Sequence, residues 1–217
     1  MKVPMSWVVG VSERFEHLIR YVEAVERYIS TVEDEQRAVV ARVGTEGHHE
    51  VESWLLTTIR ETFPRHLRYG VVFTVHAEIE AVLIGLCEQV QRRVNVRFVK
   101  RIGRAFQPYD RYLKRTLGVQ MKQCTYWNEL QLIAKVRHCI AHVGGYVPSA
   151  NDPAALRAVL RRLEFGVAGG YVVVPKEAPL RIIEWAKGWL YEVVGNVEHA
   201  LDGLRRGKRG GTSRDGR

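Results

Sequence analysis

Arg137, His138 and His142 are the residues whose types and spacing can do chemistry in this 217-residue sequence. An imidazole exchanges protons near neutrality, with a reference pKa of about 6.5. A guanidinium stays charged and forks onto two oxygens of a phosphate. His138 and His142 are four residues apart, so on a helix they face the same way. Other uses of these groups stay open. Arg137 and His142 can cap the exposed carbonyls at a helix C-terminus. His138 and His142 can ligate zinc with Cys139 or Cys124 nearby, but the sequence has no H-E-x-x-H pattern and no clear third ligand. A Cys139–His142 nucleophile pair is disfavoured because Cys139 falls on an apolar flank. His48-His49-Glu50 reads as surface. No metal and no cofactor is expected.

The elements that must hold these groups are helices. Trp127, Leu130, Ile133, Ala134, Val136, Ile140 and Ala141 recur at helical spacing, and Gly144-Gly145 provides a left-handed stop just past His142. Ser12 is expected to cap a long helix running to about Val43, with Gly44 as its stop. A second helix is expected from Glu50 to Phe63, ended by Pro64. The third, from about Arg68 to Val94, is the most apolar, and Val94 to Val99 reads as loop. Pro108 opens a helix over Tyr109 to Leu117 that closes at Gly118. Asp152-Pro153 starts another, reaching about Phe165. Gly166 to Val174 reads as a short strand or hairpin, and Glu177 to about Leu204 as a last long helix. The fold class expected is all-α, a helical bundle with a small β-hairpin. Residues 205–217 are expected to be a disordered basic tail.

Charge points to the partner. The net charge is +9. Nine Lys or Arg fall between Arg92 and Arg115 against one acid, Asp110. Arg97, Lys100, Arg101, Arg104, Arg111, Lys114 and Arg115 form the candidate RNA-binding segment. A solvated helix face explains the same charges equally well. Tyr109, Tyr112 and Tyr126 can stack bases, although packing is the commoner role for such tyrosines. Three cysteines without C-x-x-C spacing argue against a disulfide framework, and Cys87 reads as core. Reduced thiols in a cytoplasm fit best. The apolar N-terminal stretch meets Glu13 too soon for a signal peptide, and no charge-free apolar window is long enough to span a membrane.

The segment from Trp127 to Gly145 resembles the signature of the HEPN superfamily: an aromatic, spaced aliphatics, an Arg, His four residues after the residue that follows it, then Gly. The residue after the Arg is often Asn in that family, and His138 stands there. Glu80 to Cys87 resembles a second helix of stand-alone HEPN-like proteins, with Ile84 where Asn is common. The resemblance covers roughly Val71 to Leu204. It implies a HEPN-like core over 67–204, with 1–66 as an N-terminal helical segment packed on it. It further implies a metal-independent RNA endonuclease, with His142 as base on the ribose 2′-OH and Arg137 stabilising the phosphate. A homodimer would hold both pairs in one cleft, in toxin or antiviral-defence biology with a cognate antitoxin. His138, Glu80 and Lys135 are candidates for substrate binding or orientation. A purely structural pairing of Glu80 with Arg137 or Lys135 is the stronger reading for that residue. One family subset carries a Tyr two residues after the His, and Gly144 stands there. The alternative is a non-catalytic HEPN-like module that binds RNA or a nucleotide, or that dimerises, because fold does not fix function.

Overall fold

The computed structural model describes residues 5–43, 57–99 and 105–210. They are mostly helical, with one small antiparallel sheet. The helices are α1 (Met5–Val43), α2 (Phe63–Val94), α3 (Gln107–Leu117), α4 (Trp127–Val143), α5 (Pro153–Arg162) and α6 (Ala178–Gly210). Strands β1 (Gly166–Ala168) and β2 (Tyr171–Val173) pair with Gly166 opposite Val173 and Ala168 opposite Tyr171. The expected helix closures at Gly118 and Gly144 are both present, with positive φ at each. Asp152 caps α5 by accepting a hydrogen bond from the Ala155 N–H at 2.9 Å.

Four boundaries differ from the sequence reading. First, α1 begins by Met5, so Ser12 lies inside the helix and does not cap it. Its hydroxyl pairs with the Tyr191 hydroxyl instead, a tertiary partner for a polar residue in mid-helix. Second, Pro64 does not stop a helix; it sits in the first turn of α2. A π-helical turn over Thr58–Thr62 precedes it, closed by the Phe63 N–H on the Thr58 carbonyl. The wider π turn makes room for a ring that would otherwise strike the carbonyl four residues back. The part of the expected second helix before residue 57 lies outside the described residues, as does His48-His49-Glu50. Third, α5 ends at Arg162, short of Phe165, where Glu164 takes a positive φ. Fourth, α6 continues through Gly210, so residues 205–210 are helical rather than disordered. Asp202 pairs with Arg205 one turn on, and cations in a last helical turn are favoured by the helix dipole. The remainder of the basic tail lies outside the described residues.

The helical stretch from Thr58 to Val94 contains an 18-residue window long and apolar enough to cross a membrane by length and composition, with mean hydropathy 1.7. Half of that window is buried within the chain itself.

The chain divides into two compact units. One comprises Met1–Phe15, His76–Gln131 and Glu184–Arg217. Its core gathers Phe15, Ile79, Leu83, Leu86, Leu113, Leu130, Leu190 and Val193, all essentially inaccessible. Phe106, Trp127 and Trp189 form an aromatic cluster, their ring centroids 5.5 to 6.4 Å apart. The Trp189 indole N–H donates to the Met121 carbonyl at 3.2 Å, which satisfies the polar edge of a fully buried ring. Asp110 accepts the Met121 N–H at 2.8 Å and ties α3 to the turn over Met121–Gln123. Tyr109 and Tyr112 are buried here and are packing residues, not exposed stacking platforms. Tyr126 is exposed and lies over Trp185.

The other unit comprises Glu16–Val75 and Leu132–Ile183. Leu18, Val22, Val25 and Ile29 of α1 are buried in it with Val71, Val72 and Val75 of α2, Ile133, Val136 and Ile140 of α4, and Leu160 and Leu163 around the end of α5. Arg68 grips Glu26 with two parallel bonds of 2.7 and 2.8 Å. Both side chains are nearly buried, so the pair fixes α1 against α2 with a geometry that only a guanidinium supplies.

Candidate catalytic site at the end of α4

The last two turns of α4 carry Arg137, His138 and His142. The apolar side of that helix is buried through Ile133, Val136, Cys139 and Ile140. This burial fixes the rotation of the helix and leaves the opposite face outward, where His138, Ala141 and His142 are all exposed. The two imidazole centroids are 4.1 Å apart, a contact that i, i+4 spacing allows. Lys135 is exposed on the same helix.

Arg137 lies partly buried at the edge of this face. Its guanidinium carbon is 5.3 Å from the centre of the Phe73 ring, within cation–π range. Its Nε is buried and makes no hydrogen bond among the described residues. Phe73 therefore supports the guanidinium from one side without consuming its donors.

The helix end is closed by backbone. Gly144 and Gly145 both take positive φ, +60° and +81°. The Gly145 N–H donates to the Cys139 carbonyl at 3.3 Å, and the Tyr146 N–H to the Val143 carbonyl at 3.0 Å. The turn is then bound to the hairpin. The Val172 N–H donates to the Gly145 carbonyl at 2.9 Å, and the Val147 N–H to the Gly170 carbonyl at 2.8 Å. Among the described residues, no side-chain bond from Arg137, His138 or His142 serves these carbonyls, so the capping role has no support here.

Behind the turn stands a residue that the sequence reading did not single out, Tyr69. Its hydroxyl donates to the Val172 carbonyl at 2.6 Å. Burial pushes that phenol up to about 12, against the pull of the Arg65 guanidinium. Arg65 itself lies 4.3 Å from the centre of the Tyr171 ring, and Tyr171 packs on Tyr146. Arg65, Tyr69 and Phe73 recur every four residues along α2. That spacing was available in the sequence, but it was masked by the stronger aliphatic stripe beside it.

Glu80 is half-buried in the first unit, where its charge acts on Tyr109. Arg97, Arg111, Lys114 and Arg115 are exposed in that same unit, while Lys100, Arg101 and Arg104 lie outside the described residues. The three cysteines are free and buried. Burial pushes the Cys139 thiol up, which makes it a poor nucleophile. Among the described residues no group of three His, Cys, Asp or Glu is arranged to hold a metal ion. No family model matches the chain, and neither a curated protein nor a solved structure is significantly similar to it.

Proposed function

We propose that this protein is a metal-independent RNA endonuclease of the HEPN type, acting as a homodimer. The observation that carries the reading is the joint presentation, at one helix end, of two touching exposed imidazoles and a guanidinium with unused donors. His142 takes the proton of a ribose 2′-OH, the 2′-oxygen attacks the adjacent phosphorus, and the bond to the departing 5′-oxygen breaks. Arg137 neutralises the charge gathering on the phosphate oxygens. The products are a 2′,3′-cyclic phosphate and a 5′-hydroxyl. A dimer that joins two such helix ends places two imidazoles about one phosphate, one to take a proton and one to give it. The small side chain of Ala141 between the histidines permits close approach of a second helix. His138 orients His142 or touches substrate. The basic segment around Arg111 and Arg115 draws RNA in by charge, with the salt sensitivity this entails. Such an enzyme acts in toxin or antiviral-defence biology in the cytoplasm, restrained by a cognate antitoxin.

The test is cleavage of a mixed RNA panel in EDTA by wild type, His142→Ala and Arg137→Ala at confirmed oligomeric state. Wild type is expected to cleave and leave cyclic-phosphate ends, with a loss of about 100- to 10,000-fold in His142→Ala. RNA binding without cleavage by wild type, together with dimer loss in both variants, would assign the same face to a non-catalytic dimerisation module.

A further inference from the structure

The basic segment contains a built pocket as well as a charged surface. Arg97, from the loop after α2, meets Arg111 and Arg115 of α3 around a cavity of about 170 Å³. Phe98, Pro108 and Tyr112 supply its apolar wall. The wall is firmly held. Phe98 packs on Tyr112 and Tyr109 at 5.0 and 5.8 Å, and its N–H is bound by the Gln91 side chain at 2.6 Å. The Tyr112 hydroxyl donates to the Val96 carbonyl at 2.7 Å, so the loop carrying Arg97 is tied to α3.

Three guanidiniums in one pocket repel one another, and Arg111 and Arg115 do so at the i, i+4 spacing where like charges weaken a helix. The acid nearest in sequence, Asp110, is engaged by the Met121 N–H. Among the described residues no carboxylate forms an ion pair with any of the three arginines. The cavity is smaller than the roughly 300–1,000 Å³ typical of sites for drug-sized ligands. It suits a compact anion with a planar or sugar group lying against the ring wall.

We propose that this pocket binds the terminal phosphate of a nucleotide, a phosphomonoester, with the sugar or base resting on Phe98. Three positive charges match a dianionic terminal phosphate better than the single charge of an internal phosphodiester. The terminal phosphate belongs either to a free nucleotide or to the 5′ end of an RNA strand. The inference goes beyond the proposed cleavage and does not depend on it, since Arg137 and His142 take no part.

Titration calorimetry of the full chain carrying His142→Ala, which removes the proposed base, separates the two questions. The probes are adenosine 5′-monophosphate, adenosine, and one short RNA with a 5′-phosphate or a 5′-hydroxyl. Expected are saturable binding of the monophosphate or the phosphorylated RNA, at least tenfold weaker binding of the matching unphosphorylated probe, and at least a tenfold loss in the Arg111→Gln/Arg115→Gln variant. Arg97→Gln, outside the helix, weakens binding in the same direction and guards against an effect of helix stability. Binding of the mononucleotide identifies a free nucleotide as ligand, and binding of the phosphorylated RNA alone identifies a strand end. Equal affinity with and without the phosphate, no binding of either phosphorylated probe, or undiminished binding in the double variant overturns the proposal.

Discussion

Replacing Gly145 by alanine should destabilise the fold more than the same change at Gly144, although the two glycines are adjacent and both left-handed. An alanine held at positive φ costs about 1–2 kcal/mol. Restricting the unfolded chain returns about 0.4–1 kcal/mol of that. At Gly144 a new Cβ meets nothing within 4 Å, so the net loss should be about 1 kcal/mol. At Gly145 the Cβ would lie 2.8 Å from two ring carbons of Tyr69 and closer still to its hydroxyl oxygen. Tyr69 must then move, and its bond to the Val172 carbonyl is lost. A buried acceptor left unpaired adds about 1–3 kcal/mol, which brings Gly145→Ala to about 2–4 kcal/mol. Urea denaturation reads this as a lower midpoint at unchanged slope. Tyr69→Phe removes the nearest colliding atom, so the alanine should cost less in that background, by at least about 0.5 kcal/mol. Equal midpoints for Gly144→Ala and Gly145→Ala would refute the reasoning, because they would mean that Tyr69 does not fill the space behind the turn.

Glu198 is buried with both carboxylate oxygens unpartnered among the described residues. Burial pushes its pKa up, Arg93 pulls it down and Asp202 pushes it up. As pH rises from the usual carboxylate range toward the raised folded value, the unfolded chain loses this proton first, so stability falls. Glu198→Gln should therefore melt higher than wild type at neutral pH, and the two should melt alike below about pH 4. An unchanged neutral melting temperature would count against the burial of that carboxylate. Trp189→Ala should cost about 3–5 kcal/mol in chemical denaturation, since the ring is fully enclosed in its aromatic cluster. Arg68→Ala, which leaves Glu26 alone in a nearly buried site, should cost on the order of 3 kcal/mol. Asp152→Ala should remove the α5 cap at about 1 kcal/mol, seen as a small midpoint shift.

Local rules carried the sequence reading far. Helical spacing from Trp127 to Ala141 and the paired glycines after it located α4 and the exposed imidazole pair, because both depend on near neighbours along the chain. The hairpin was legible for the same reason, as β-branched residues set between glycines. What was not legible depends on residues distant in sequence. The phenyl ring beneath Arg137 comes from Phe73 and the hydroxyl behind Gly145 from Tyr69, and nothing near α4 announces either. Pro64 misled because a proline signals a break only where the helix before it has ordinary geometry. The extension of α6 into the basic tail was missed because composition there argues for disorder, while the helix behind it supplies a template on which the next turns add at little entropic cost.

The hairpin has only three residues in each strand, too few to persist alone in water. Helix ends ordinarily fray within nanoseconds to microseconds, independently of the rest of the protein. The last turn of α4 cannot do so independently, because its closing glycine is hydrogen-bonded to β2. Melting of that turn and peeling of the hairpin therefore become one event with one opening free energy. Amide hydrogens at Ile140–Val143 and at Val172 should show matching protection factors in hydrogen exchange. Anything that grips or displaces the hairpin would then change how long the His142 imidazole holds its position, without touching it.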